Sequence, residues 1–200
     1  ILAVVSETLI NRVVIKPDIA ALEEENIASL DDVLVKDLHL EAGRMSVGAA
    51  LDEILSQAES GYHRHLSAYG KALSQRNALL KTLAETGGDR EQLLPWDELL
   101  ARHGAAIMRA RILALATLER LVIPIHQRLT RDLEILQFQY QPAFEPLKKP
   151  AGQMALPVQT TLDRTGISAE ALESGLLEAY NRSCQADIQR GQTSLGPHRD

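Results

Sequence analysis

One cysteine, Cys184, stands among the 200 residues. That excludes an internal disulfide framework and a zinc site built from cysteines. Long apolar runs are also missing. The longest, such as Ile1–Val5 and Ile112–Ala116, fall far short of the ~20 residues a membrane helix needs. No basic stretch, apolar stretch and small-residue cleavage site follow one another as a signal peptide would require. A basic surplus is absent: 21 Lys and Arg against 27 Asp and Glu give a net charge of −6 and a pI near 5.5. Taken whole, that balance argues against a nucleic-acid binder. Neither a glycine-rich phosphate loop, nor a nucleophile elbow, nor a paired-carboxylate motif occurs, so the stretch holds no complete catalytic site. What is present is 45% hydrophobic and 24% charged, the composition of a soluble cytoplasmic chain long enough to bury a core unaided. It opens on Ile-Leu-Ala-Val-Val without Met and stops at Gly196-Pro197-His198-Arg199-Asp200. The expectation is an interior stretch of a longer protein.

The total charge hides a division. Residues 1–60 carry 4 basic and 12 acidic side chains, net −8. Residues 61–140 carry 11 and 8, net +3, and residues 141–200 carry 6 and 7, net −1. The basic middle also holds four of the six histidines. Residues 1–15 are β-prone, with Asn11-Arg12 predicted as a hairpin tip and Lys16-Pro17-Asp18 as its end. Residues 18–26 suggest a short acidic surface helix, and Asp31–Leu40 a strand or buried loop. Ser46 is expected to cap a short helix with Leu51, Ile54, Leu55 and Ala58 on one face.

From Gly61 the periodicity becomes helical. Tyr62, Leu66, Tyr69, Leu73, Arg76, Leu80 and Leu83 follow at alternating steps of four and three, a heptad seam interrupted by Arg76. Gly87-Gly88-Asp89 breaks this helix. A second is predicted from about Trp96 to Leu133, with an apolar stripe of Ile107, Ala110, Ala114, Leu118, Leu121 and Ile125 and a kink at Pro124. Two long helices joined by a short connection make an antiparallel hairpin, an arm. Ile135–Tyr140 alternates as a strand does, and residues 141–168 hold four of the eight prolines, a linker. Ser168 caps a last helix with Leu172, Leu176, Tyr180, Cys184 and Ile188 on one face, ending at Gly191.

Candidate binding residues lie mostly on the second helix. Arg102, Arg109, Arg120 and Arg131 are 7, 11 and 11 residues apart, steps that return to nearly one azimuth opposite the apolar stripe. Such a face is either solvated or a contact for phosphates or an acidic partner, because Arg forks suit both. Arg76 in the seam is expected to fix register, with its long stem snorkelling outward. His63 and His65 are two residues apart and point to different sides of a helix, while His103 and His126 lack a carboxylate or Cys at ligand spacing. No metal site is expected. Cys184 is expected to be a small buried hydrophobe.

Two stretches carry a more specific signal. Tyr62-x6-Tyr69-x3-Leu73 runs into Gln75-Arg76-Asn77-Ala78-Leu79-Leu80-Lys81, and Gly191-Gln192-Thr193 precedes Gly196-Pro197-His198-Arg199-Asp200. Their order and spacing resemble the bacterial RecF family of DNA replication and repair proteins, from Asp37 to the end. The resemblance implies an α+β, mostly helical fold: an antiparallel helical arm inserted into an ABC/SMC-like ATPase head, with short β segments at both ends. Residues 1–45 would end the first ATPase lobe. Residues 46–190 would form the arm domain, with a strand and Pro-rich linker near 134–168, and 191–200 the first strand of the second lobe.

The same resemblance implies an ATP-dependent homodimer that binds duplex DNA at single-strand gaps and, with RecO and RecR, helps load RecA. ATP and Mg would be held by a Walker A loop, signature motif and Walker B outside these residues, so this stretch alone should be inactive. Gln75, Arg76, Asn77, Lys81, Gly196, Pro197, His198, Arg199 and Asp200 match the family's motif positions. His198 and Arg199 are expected to touch nucleotide or DNA, or to brace the junction between lobes. The arginines that precede that family's arm are absent here, where Val47-Gly48-Ala49-Ala50-Leu51-Asp52 stands. A different expectation, from the residues alone, is a non-enzymatic helical adaptor whose arm docks a protein partner.

Overall fold

The computed structural model describes residues 12–17, 47–131, 133–140, 142–146 and 163–200. Expectations for residues 1–11, for 18–46 with the Ser46 cap, and for Pro150 and Pro157 lie outside these. In chain order the described elements are β1 (Arg12–Pro17), α1 (Val47–Ala58), α2 (Tyr62–Thr86), a 3-10 turn (Arg90–Leu93), α3 (Leu94–Thr130), β2 (Glu134–Gln139), α4 (Ala169–Arg190) and a final 3-10 turn (Pro197–Arg199).

Helices α2 and α3 form the expected antiparallel hairpin. The glycine pair ends α2: Gly87 takes φ 70° and donates its N–H back to Leu83, a conformation that costs a residue without Cβ little. Asp89 then caps the 3-10 turn by accepting from the Glu91 N–H. Pro95 falls in the first turn of α3, where its missing N–H has no partner to lose. The helix runs without interruption through Pro124 and stops earlier than expected, at Thr130, because Arg131 turns left-handed at φ 53° and donates its N–H to Gln127.

α4 lies against both arm helices and completes the core. Its ends are those the sequence marks. Ser168 Oγ accepts from the Ala171 N–H at 3.1 Å, and Gly191 closes it at φ 65°. Leu172, Leu176 and Tyr180 from α4 meet Tyr62, Tyr69 and Ala72 from α2 and Leu100, Ala101, Ala105, Ile107 and Met108 from α3. Gly104 lets the three helices close: a Cβ there would stand 3.2 Å from Tyr69 and 3.3 Å from Leu176. Cys184 is buried with Leu80, Leu83 and Leu93 in a smaller cluster toward the tip.

Three expectations are corrected. The apolar stripe of α3 is buried at Ile107 and Ala110 but exposed at Leu121 (57%) and Ile125 (48%). The cause is length: α3 has 37 residues and α2 has 25, so at 1.5 Å per residue α3 overhangs its partner by roughly 18 Å. On α1, Leu51 and Leu55 are buried while Ile54 and Ala58 face out. Arg12 is no hairpin tip. It opens β1, whose antiparallel partner is β2, in register from Arg12↔Gln139 to Pro17↔Glu134. The β-branched run Val13-Val14-Ile15 makes a strand by local propensity, but its partner lies beyond the arm. The two β segments flanking the arm therefore pair across its base. Among the described residues, no helix is long and apolar enough to cross a membrane.

Candidate joint at the root of the arm

The two motif stretches, far apart in sequence, meet around a buried guanidinium. Arg76 is fully buried. Its Nε donates to Asp97 on α3 at 2.6 Å, and its Nη1 to Asp187 on α4 at 2.8 Å and to Thr193 Oγ1 at 2.9 Å. The next residue, Asn77, extends the contact, since its Oδ1 accepts from both the N–H and the hydroxyl of Thr193, each at 2.8 Å. Asp187 Oδ1 in turn accepts from the N–H and Oγ of Ser194. The α2 motif thus grips the segment that leaves α4.

Burial works against the Arg76 charge, yet Asp97 and Asp187 hold its pKa above the ordinary value. Burial raises the carboxyl of Asp97, and Arg76 only partly opposes the rise. Arg76 Nη2 has no hydrogen-bond partner. The guanidinium stands over the ring of Tyr180, its Cζ 5.3 Å from the centroid, an arrangement that favours a cation.

A second guanidinium does the same closer to the base. Arg111, almost fully buried, donates from Nε and Nη2 to Asp52 on α1 at 2.9–3.1 Å. Its Nη1 donates to the Pro197 carbonyl at 2.9 Å and to Asp200 at 3.0 Å. Asp200 also accepts from the Tyr140 hydroxyl and, at 2.9 Å, from the Ala143 N–H. The Tyr62 hydroxyl donates to Asp52. Both residues preceding the arm's first long helix and residues following its last are therefore tied to one side chain of α3.

Between these clamps the 3-10 turn is seated on tyrosines. His198 Nδ1 and the Tyr69 hydroxyl are 2.7 Å apart, and Tyr69 lies 3.4 Å from the Tyr180 hydroxyl. Burial pushes Tyr180 up to about 12 and lowers His198 below the ordinary histidine value, so both stay neutral near pH 7. Arg199 folds back, donating to the Thr193 carbonyl at 3.0 Å from Nη2.

Of the motif positions, Arg76, Asn77, Pro197, His198 and Asp200 converge here and Gly196 lies under them, whereas Gln75 is exposed and Lys81 only packs its Cγ beside Gly191. Arg76 does not snorkel. Residues 191–200 are an irregular segment closing in the 3-10 turn, in place of the expected strand.

The arginine row is less uniform than its spacing. Arg102 is exposed, at 3.8 Å from Glu173, and Arg120 is exposed on the overhang. Arg109 Nη1 donates to the carbonyls of Thr165 (2.9 Å) and Ile167, pinning the turn ahead of α4. Arg131 sits past the helix end in its left-handed cap. Arg111 escaped the sequence reading although it falls four residues after Ile107, on the buried face. The pair His65 and His103 escaped it too: their Nδ1 atoms are 3.1 Å apart although the residues are 38 apart in sequence.

Its two buried guanidinium groups are paired with four carboxylates. The geometry suits a mechanical role, holding two distant parts of the chain at fixed distance.

No family model matches the chain. It is similar to curated proteins described as DNA replication and repair protein RecF. The one from Natranaerobius thermophilus is 31% identical over 150 residues, 75% of this chain and 36% of the relative. The one from Bacillus mycoides is 35% identical over 167 residues, 82% of this chain and 40% of the relative. It also superposes on solved structures of the recombination mediator protein RecF of the RecFOR pathway, one with ATP and one described as RecF-ATPrS. For each the TM-score is 0.61 and the identity 26%, over 76% of this chain and 36% of the other. The chain thus spans well under half the length of the relatives it matches.

Proposed function

Because the chain belongs to the RecF family, we propose that it serves as the arm and inter-lobe joint of a recombination mediator in DNA repair and replication. In this reading residues 1–45 end a first ATPase lobe, 46–190 form the arm domain and 191–200 begin a second lobe. The whole protein, as an ATP-dependent dimer, binds duplex DNA at single-strand gaps and works with RecO and RecR to load RecA. ATP and Mg belong to the lobes. The observation that carries the reading is the convergence of the two motif stretches on Arg76 and Arg111 at the base of a helical hairpin. A segment before the arm and a segment after it are thereby held to the same helix. A change in how the lobes sit reaches the arm through that contact, and the arm's load reaches the lobes.

The exposed members of the arginine row, Arg102, Arg120 and Arg131, are the proposed phosphate contacts. Arg109 is set apart, because its guanidinium already serves two carbonyls. Reversing Arg102, Arg120 and Arg131 to Glu in the intact protein is expected to weaken duplex binding with little sequence preference. Each lost phosphate contact lowers the slope of log K against log salt by about 0.9. Unchanged affinity and slope would remove these arginines from the interface. The exposed row Leu121, Ile125 and Leu129, at steps of four on the overhang, favours the adaptor reading instead. If that reading holds, the same reversals and the presence of ATP leave partner binding unaltered.

A further inference from the structure

Apart from the joint, His65 of α2 and His103 of α3 face each other, Nδ1 to Nδ1 at 3.1 Å, with ring centroids 5.2 Å apart and planes at 61°. We propose that this pair is a divalent-metal site that takes Zn²⁺ through the two Nδ1 atoms and bridges the two helices of the arm. The distance is the argument. Two imidazole nitrogens each about 2.0–2.1 Å from one zinc ion and 3.1 Å from each other subtend an angle of roughly 100°. That lies between the right angle of octahedral sites and the tetrahedral angle that zinc prefers. In the neutral pair at this distance, one Nδ1–H donates to the other ring. Metal binding requires that ring to move its proton to Nε2, a tautomer change with no net loss of a proton when both rings are neutral.

Near His103, Glu173 of α4 stands 3.8 Å from Arg102, an anion set against the neighbouring cation. Both histidines are half-buried rather than sealed, and the remaining ligands of the proposed ion would be water. No group of three His, Cys, Asp or Glu able to hold a metal exists among the described residues, so the site rests on two protein ligands. Such a site binds more weakly than a closed structural one.

The proposal is independent of any role in DNA repair. Zn²⁺ titrated into the intact protein, followed by calorimetry and by competition with a metallochromic dye, is expected to bind once per chain. His65→Ala and His103→Ala should each weaken that binding by at least about tenfold, since even the partners that only orient a ligand are worth 10–100-fold. His63→Ala, an exposed histidine on the same helix, should leave it intact. Zn²⁺ should raise the Tm of the parent and of His63→Ala but not of His103→Gln, a variant that keeps the side chain's bulk. Absence of saturable binding up to millimolar Zn²⁺ would overturn the proposal. So would binding that survives both alanine substitutions.

Discussion

Replacing Arg76 by alanine is expected to destabilise the arm by about 3–5 kcal/mol, the range for breaking a buried ion pair by removal of one partner. The loss is large because of what stays behind. Asp97 and Asp187 would remain buried, with side chains 9% and 0% exposed, facing each other without the cation between them. Thr193 would lose a donor as well. Asp97, whose carboxyl burial already raises, would rise further and take up a proton. The variant should therefore lose less stability as the pH falls toward the carboxylate range, since the folded state then binds more protons than the unfolded one. Arg102→Ala is the contrast. Its ion pair is 3.8 Å long between side chains 63% and 42% exposed, and a pair of that kind is worth at most about 1 kcal/mol. Hydrogen exchange of the intact protein reads the difference locally. Protection across α4 and residues 191–194 should fall in Arg76→Ala and hold in Arg102→Ala. Equal protection in both would mean that Arg76 does not join these elements.

Gly196→Ala is the second large effect. The glycine sits at φ 115°, which L residues rarely adopt, and a Cβ there would lie 2.3 Å from the Tyr69 hydroxyl and 2.6 Å from that of Tyr180. Both contacts are far inside van der Waals distance, and both tyrosines are core residues that cannot swing away. The backbone term and the overpacking term each cost about 1–3 kcal/mol. The expected relief is ejection of the Pro197–Arg199 turn, with loss of the 2.7 Å contact between His198 and Tyr69. Limited proteolysis should then cut near residue 196, where the parent resists. Adding Tyr69→Phe removes the nearer clash and should restore part of the resistance. Cleavage unchanged from the parent would show that the turn is not seated on these tyrosines.

How much of this was legible beforehand divides by range. Local chemistry was: the Ser168 cap, the Gly191 stop, the Gly87 break and the heptad seam all lie where the side chains and φ preferences put them. The resemblance picked out both motif stretches, and the structure explains why they go together, since Arg76 and Asn77 hold Thr193. Partners remote in sequence were not legible. Arg76 was expected to fix register with its stem snorkelling outward, whereas its second carboxylate, Asp187, arrives from 111 residues away. Arg111 gave a usable signal, since a cation four residues after Ile107 must either break the apolar face or find a buried anion there. The row of four arginines drew attention from it, although one of the four, Arg109, is equally committed to structure. The seven-residue and eleven-residue steps predict azimuth and say nothing of what already sits at that azimuth.

If the arm and the motif at residues 196–200 are one mechanical unit, a double-mutant cycle between Arg111 and Asp200 tests this most directly. Arg111→Met and Asp200→Asn, singly and together, should be compared in the intact protein by the free energy of local opening from hydrogen exchange. The account predicts a coupling of about 1–3 kcal/mol, the range for residues sharing one buried network, with opening at residues 47–58 and 197–200 rising together in each single variant. Additive losses, with the two regions opening independently, would contradict it.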